Sequence, residues 1–445
     1  MSSEFDLSTL AAFHDQGDGS RFGDVLSYHD LPALRSGPEA EAETERVLST
    51  AADRPVTDTM PPVVDPTLDH EDAALRDRRA DVEEKHRRVR EYLDAHNLDA
   101  MALGRVDSIA WFTSGGELGR EFSGEIASAL IYITRSCRAV VTDNVQSARI
   151  FEEELAGLGF QLKERPWHED PARVLEELGH NKTLVSDLAG TSPWSREGHD
   201  SAAALINLRR PLTKLERQRL RELGRTLTLA VEATCRNFHP GETEADVAGH
   251  LAHRLLREGV APVGLQIAAD GRPDRYRRPG LKGVPIREKA LISVIGRRFG
   301  LCASVGRCVT FGLAKEPFKT DQALASMISA SNIFFSRPGE TVGAILGRTK
   351  RLFEKNDHPH EWTLDYAGQF IGYSPNEGLL LPESPLKLQP GTALCWGPSV
   401  GTARSEDTVV VDARGFEVVT QAQHWPMIEV TVKGYAMNRP GILER

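Results

Sequence analysis

Two strongly apolar runs meet across a glycine in the stretch Ser293 to Gly312, SVIGRRFGLCASVGRCVTFG. Runs of this length, rich in Val, Ile and Cys and broken by Gly300, predict a pair of adjacent strands. Two hydroxyl residues, Ser293 and Ser304, stand eleven positions apart within it. Helical segments precede the pair: KLERQRLRELGRTLTLAVEATCRNF after Thr213, then a Pro240–Gly241 turn leading into Thr243-Glu244-Ala245-Asp246. That turn predicts a helix start, with acids near the positive end of the helix dipole. A second helix pair is expected after the strands, from about Asp321 to Phe335 and at TVGAILGRTKRLFEKN, with further strands beyond it. Helix pair followed by strands, twice over, implies an internally duplicated α+β domain over residues 213–440.

At 445 residues the chain exceeds what one core usually supports, so two domains are expected. The segment 81–208 begins with a helix that places Val82, Val89, Tyr92 and Leu93 on one face. Strands at ASALIYITR, RAVVTDN and TLVSDLAG then alternate with helices at SARIFEEELAGLGF and DPARVLEELG. This order predicts an α/β layer with a substantially parallel sheet. Residues 1–80 hold 17 acids and 7 Arg or Lys, so the whole formal charge of −10 resides there. Their acidic, Pro-rich composition leaves two outcomes open, disorder or an arm docked on the body. No apolar run approaches the ~20 residues of a membrane span, and no signal peptide is legible, which points to the cytoplasm. Nothing suggests a nucleic-acid surface. The five cysteines are scattered without C-x-x-C spacing and are expected mostly as small buried hydrophobes.

Four ordered blocks resemble the M24 family of aminopeptidase P, prolidase and creatinase. Ser293–Gly312 resembles D-x-G-x-x-x-x-G-Y-x-x-D-x-x-R-T-x-x-x-G, keeping Gly300, Arg307 and Gly312. AGQFIGYSPNEG resembles G-H-G-[IL]-G-x-x-x-H-E, keeping Gly368, Ile371, Gly372 and Glu377. LQPGTALCWGPS resembles L-x-P-G-M-x-x-x-x-E-P-G, keeping Pro390, Gly391 and Pro398, and TARSEDTVVV keeps Arg404, Glu406 and Asp407 of R-x-E-D. The resemblance implies a creatinase-like α/β N-terminal domain followed by a pita-bread domain with internal pseudo-duplication. It also implies a homodimer in which the N-terminal domain completes its partner's pocket.

In the family's metallopeptidases five side chains hold two metal ions. By the resemblance these positions are Ser293, Ser304, Gln369, Gly397 and Glu406, so one carboxylate remains. Serine hydroxyls and a carboxamide cannot neutralise two divalent cations, so no metal or other cofactor is expected. Creatinase works without metal through a histidine. Counting back 17 residues from Ser293 places that position at Tyr276, and no histidine occurs between His253 and His358.

Glu406 is the candidate acid/base, since a lone buried carboxylate is suited to proton transfer, with Tyr276 as proton donor or orienter. Gln369, Asn376, Arg404, Glu377, Ser293 and Ser304 are candidate binding groups for a small polar or carboxylate-bearing substrate. Glu406 paired with Arg404 as a structural relic is the competing expectation. Two functions remain open: a metal-independent enzyme cleaving a C–N bond or running a related acid/base reaction, and a non-catalytic pseudo-peptidase that holds a peptide or partner protein in the old cleft.

Overall fold

The computed structural model describes residues 66–119, 124–169, 173, 177–188 and 201–445. Expectations for residues 1–65, and most of the helix at DPARVLEELG, fall outside the described residues. The first helix, α1 (Pro66–His96), opens on a proline, which suits a first-turn position where no N–H partner is needed. It buries Val82, Val89 and Leu93 completely, the face its spacing predicts. The helix starts at Pro66 rather than at the expected boundary of 81, and Leu75 already packs against the main core.

Five strands follow: β1 (Ala100–Arg105), β2 (Ile126–Thr134), β3 (Arg138–Asp143), β4 (Gln161–Arg165) and β5 (Leu184–Ser186). They form a sheet in the order β4-β3-β2-β1-β5. The expected parallel sheet is mixed: β1/β5 and β3/β4 run parallel, whereas β1/β2 and β2/β3 run antiparallel. The reason is local. Only Arg135, Ser136 and Cys137 separate β2 from β3, too short a connection for a parallel crossover. Helix α2 (Val106–Phe112) sits between β1 and β2, and α3 (Ser201–Arg209) ends the segment.

Thr213 starts the second half with a capping box: its hydroxyl accepts from Glu216 N–H while Glu216 accepts from the Thr213 N–H, opening α4 (Lys214–Asn237). Thr243 and Asp246 repeat the device at α5 (Glu244–Arg257). Strands β6 (Ala261–Ala269), β7 (Lys289–Arg298) and β8 (Leu301–Thr310) follow. The second helix pair is α6 (Phe318–Phe334) and α7 (Val342–Lys355). The later strands are β9 (Gly368–Phe370), β10 (Gly378–Leu379), β11 (Ala393–Trp396), β12 (Ser399–Val400), β13 (Ala403–Arg404), β14 (Glu406–Asp412), β15 (Gly415–Val418), β16 (Met427–Val432), β17 (Tyr435–Pro440) and β18 (Ile442–Glu444). The main path of the large sheet is β10-β9-β11-β14-β8-β7-β6, joined by β15 on β14 and β18 on β8. Two helix pairs each followed by strands of one sheet make the duplicated α+β domain.

Phe299 and Gly300 form a two-residue turn with φ of 52° and 73° between β7 and β8. Both values are left-handed, the geometry that matches the twist of a tight hairpin. A Cβ on Gly300 would meet the Ala110 methyl at 2.4 Å, so the glycine also lets α2 approach. The two halves are further tied by a buried cluster. Lys85 of α1 pairs with Asp81 and lies 2.6 Å from Glu216, and Tyr373 donates to Glu216 at 2.6 Å. No described helix is long and apolar enough to cross a membrane.

Candidate functional site

Strand register builds the site. Across β7, β8 and β14, Ser293 lies opposite Gly306, and Gly306 lies opposite Glu406. Ser304, two residues before Gly306, shares its face. A Cβ on Gly306 would stand 3.0 Å from the Glu406 Cβ, so glycine in this row leaves room for the Glu406 side chain to lie over β8. The three polar side chains therefore converge. Ser293 donates to the two Glu406 oxygens at 3.1 and 3.0 Å, its single proton shared between them, and Ser304 donates to Glu406 Oε1. Arg404 stands 3.6 Å from Glu406 Oε2.

These groups open into a cavity of about 240 Å3 whose walls include Gln266, Arg278, Tyr366, Gln369, Cys395 and Gly397. Gln369 is buried there and donates to the Pro375 carbonyl at 2.8 Å. The Cys395 thiol is pushed well above its ordinary value by burial first and by the Glu406 charge second, so it is not a ready nucleophile.

Several sequence candidates are placed elsewhere. Tyr276 follows a single helical turn (Arg272–Arg275), is 49% exposed and does not line the cavity. From the same loop it is Arg278, two residues on, that reaches the cavity wall. Asn376 is exposed and accepts from its own Gly378 N–H at 2.9 Å, a turn-forming contact outside the cavity. Glu377 is buried and pairs with Arg209 at 2.9 Å, while accepting from the Tyr373 and Ser374 N–H groups. It is a structural anchor for α3, not a wall of the cavity. Arg404 is buried behind the wall, donating to Gln266 at 2.7 Å and to the Arg277 carbonyl at 2.7 Å, with Asp365 at 3.3 Å.

Three residues that matter to the site were not candidates from the sequence. Arg278 donates to Asp365 at 2.8 Å, and its guanidinium carbon lies 3.7 Å from the Tyr366 ring centre. Asp365 also accepts from Ser399 at 3.1 Å, so it holds Arg278 and Arg404 together. Burial works against the Arg278 charge, but the nearby carboxylates of Asp365 and Glu406 outweigh it and push the guanidinium upward. The faint signal in the sequence was an arginine run, Arg275, Arg277 and Arg278, in a loop whose register had no anchor.

The donor set does not fit a dinuclear metal centre. Its one carboxylate, Glu406, is already occupied by two hydroxyl donors. Among the described residues no cluster of three or more His, Cys, Asp or Glu is arranged to hold a metal ion.

Similarity to known proteins agrees with this architecture. No family model matches the chain. The probable dipeptidase PepE of Mycobacterium tuberculosis is 23% identical over 332 residues, covering 67% of this chain and 85% of that protein. Among solved structures, dipeptidase PepE from Mycobacterium ulcerans superposes with a TM-score of 0.65 at 16% identity, covering 82% of this chain and 99% of that one. The Xaa-Pro dipeptidase from Bacillus anthracis gives 0.64 at 17% identity, covering 77% and 98%. The N-terminal domain of the FACT complex subunit SPT16 from Cicer arietinum gives 0.58 at 13% identity, covering 78% and 96%. The chain thus has the fold of the prolidases and Xaa-Pro dipeptidases, a creatinase-like α/β domain followed by a pita-bread domain.

Proposed function

We propose that the cleft binds a small zwitterionic ligand, an amino acid or the end of a short peptide, without a metal and without hydrolysing it. The observation that carries this is the pairing of charges at the cavity wall: Glu406 supplies a carboxylate and Arg278 a guanidinium. Arginine stays protonated at any working pH, so it can hold a ligand carboxylate but cannot donate or accept the proton that amide cleavage requires. Glu406 already accepts from two hydroxyls, and an ammonium group is the ligand partner that best complements it. Catalysis, the first of the two expectations, needs a proton-transfer partner across from Glu406, and Tyr276 stands outside the cavity. The names of the similar proteins make Xaa-Pro dipeptides the ligands to try first.

The test is calorimetric titration of EDTA-treated protein with Ala-Pro, alanine and proline, with mass spectrometry of the mixtures. Saturable binding that EDTA leaves unchanged, that Arg278→Met abolishes, and that is accompanied by no cleavage is the expected result. Cleavage that appears on adding Mn²⁺ would refute the metal-free assignment. Metal-free cleavage would restore the enzymatic reading.

A further inference from the structure

Consecutive residues on a strand face opposite sides of the sheet, so Glu406 and Asp407 of β14 serve different spaces. Glu406 lines the cleft, whereas Asp407 lines a second cavity of about 450 Å3, walled by β15, β17 and the segment Thr420–Ala422. At its base two buried guanidinium groups share one carboxylate. Arg307 donates to Asp407 Oδ1 at 3.1 Å, and Arg439, also on the cavity wall, donates to Asp407 Oδ2. Arg307 is 1% exposed and Arg439 3%, and neither Nε–H makes a hydrogen bond. Thr420 gives its hydroxyl proton to the same carboxylate at 2.8 Å. The other acid lining the cavity, Glu417, is taken up by Arg221, which donates to its two oxygens at 2.5 and 2.8 Å.

The charge balance is therefore one positive charge in excess, beside a space that solvent or a ligand can fill. A buried positive charge in excess of its counter-charge is costly unless something compensates it. Burial and the neighbouring Arg307 both weaken the hold of Arg439 on its proton, with Asp407 acting in the opposite sense. A second anion would relieve that tension.

We propose that this cavity is a binding site for a small oxyanion, a carboxylate or phosphate group, received by Arg439 with Arg307 behind it. Asn438, exposed at the cavity's rim beside Arg439, is where a charge can be added without entering the arginine cluster. Arg307 also donates to the Glu406 carbonyl at 3.3 Å, so an occupant would sit one residue away from the carboxylate of the cleft.

The experiment is titration of the full chain with inorganic phosphate and, separately, citrate and acetate, at constant ionic strength, followed by calorimetry and by melting temperature. Saturable binding is expected, with a rise in melting temperature. Competition between phosphate and citrate shows a shared site, and the tighter of the two names the preferred source. Asn438→Asp adds a negative charge at an exposed position without touching the arginine cluster and is expected to weaken binding at least tenfold. Arg439→Gln is expected to abolish it, and Arg278→Met, in the separate cleft, to leave it unchanged. Should Arg439→Gln fail to fold, Asn438→Asp decides. Absence of saturable binding by the folded wild-type chain, or equal binding by Asn438→Asp, would overturn the proposal.

Discussion

Replacing Glu406 by Gln keeps the shape of the side chain and removes its charge. In the structure this weakens the two hydroxyl bonds from Ser293 and Ser304 and the longer contact from Arg404. A hydrogen bond to a charged group contributes about 1.5 to 3 kcal/mol and a neutral one about 0.5 to 1.5, so two such exchanges cost about 2 kcal/mol together. From the sequence alone Arg404 has Glu406 as its evident partner, and orphaning a buried guanidinium would cost about 3 to 5 kcal/mol. The structure lowers that figure, because Arg404 keeps Gln266, the Arg277 carbonyl and Asp365. For a domain of this size 1 kcal/mol moves the melting temperature by about 2 to 4 °C, so Glu406→Gln should melt about 4 to 8 °C lower. Asp365→Asn is the control: it weakens the anchors of both Arg278 and Arg404 and should cost more. Differential scanning calorimetry on both variants, with Ala-Pro titrations alongside, reads the result. A Glu406→Gln variant that loses more melting temperature than Asp365→Asn, or that binds Ala-Pro as well as wild type, would refute the assignment of Glu406 to the ligand site.

A chain starting at residue 81 should melt well below one starting at residue 66. It loses the Leu75 packing, the Arg78 bond to the Glu154 carbonyl at 2.8 Å and the Arg79 bond to the Gly157 carbonyl at 2.9 Å, together about 3 kcal/mol; equal melting temperatures would contradict this. Half-buried Cys137 should be the thiol that reacts readily with iodoacetamide in the native protein, because burial pushes Cys302 up to about 12 and Cys308 up to about 11. Peptide mapping after brief labelling checks it. Burial tends to raise the Asp81 carboxyl, but the Lys85 ammonium and hydroxyl bonds prevail and hold it low. A lowered folded-state pKa gives stability that is present above the ordinary aspartate range and is lost as pH falls through the folded value. The stability gap between wild type and Asp81→Asn should therefore close in acid, and a gap independent of pH would show that the cluster acts by packing alone. Light scattering at micromolar concentration should give a homodimer mass near twice the 49.0 kDa of one chain, and a monomer mass would rule out a partner-completed pocket.

The parts of the fold legible in the sequence are those whose cause is local. Thr213 with Glu216 and Thr243 with Asp246 are capping boxes whose partners stand three residues apart, and Gly300 marks a two-residue turn. Strand alternation then puts Ser293, Ser304 and Glu406 on one face once the register is given, which is why those three candidates meet. The candidates that fail do so through distant partners. Glu377 is taken by Arg209, 168 residues earlier in the chain, a pairing no spacing rule could supply. Tyr276 misses because the loop between β6 and β7 has no strand alternation to fix which of its side chains turn inward, and an error of two residues exchanges Tyr276 for Arg278.

The residues at four of the five ligand positions the resemblance implies, Ser293, Ser304, Gln369 and Gly397, make sense together as one change of charge around Glu406. A pair of divalent cations brings about four positive charges, and removing them from a buried carboxylate cluster would leave acids repelling one another in a medium of low dielectric. At the two aspartate positions the chain carries Ser293 and Ser304, which turn acceptors into donors, and both hydroxyls point at the remaining acid. Gly397 removes a further acid outright, and a Cβ there would already stand 3.3 Å from Glu406 Cγ. Arg278 and Arg404, held by Asp365, supply the fixed positive charge that balances what is left. Random loss of ligands would leave Glu406 without donors. The hydroxyls of Ser293 and Ser304 instead supply its carboxylate with donors, the condition for a buried acid to persist in a polar pocket.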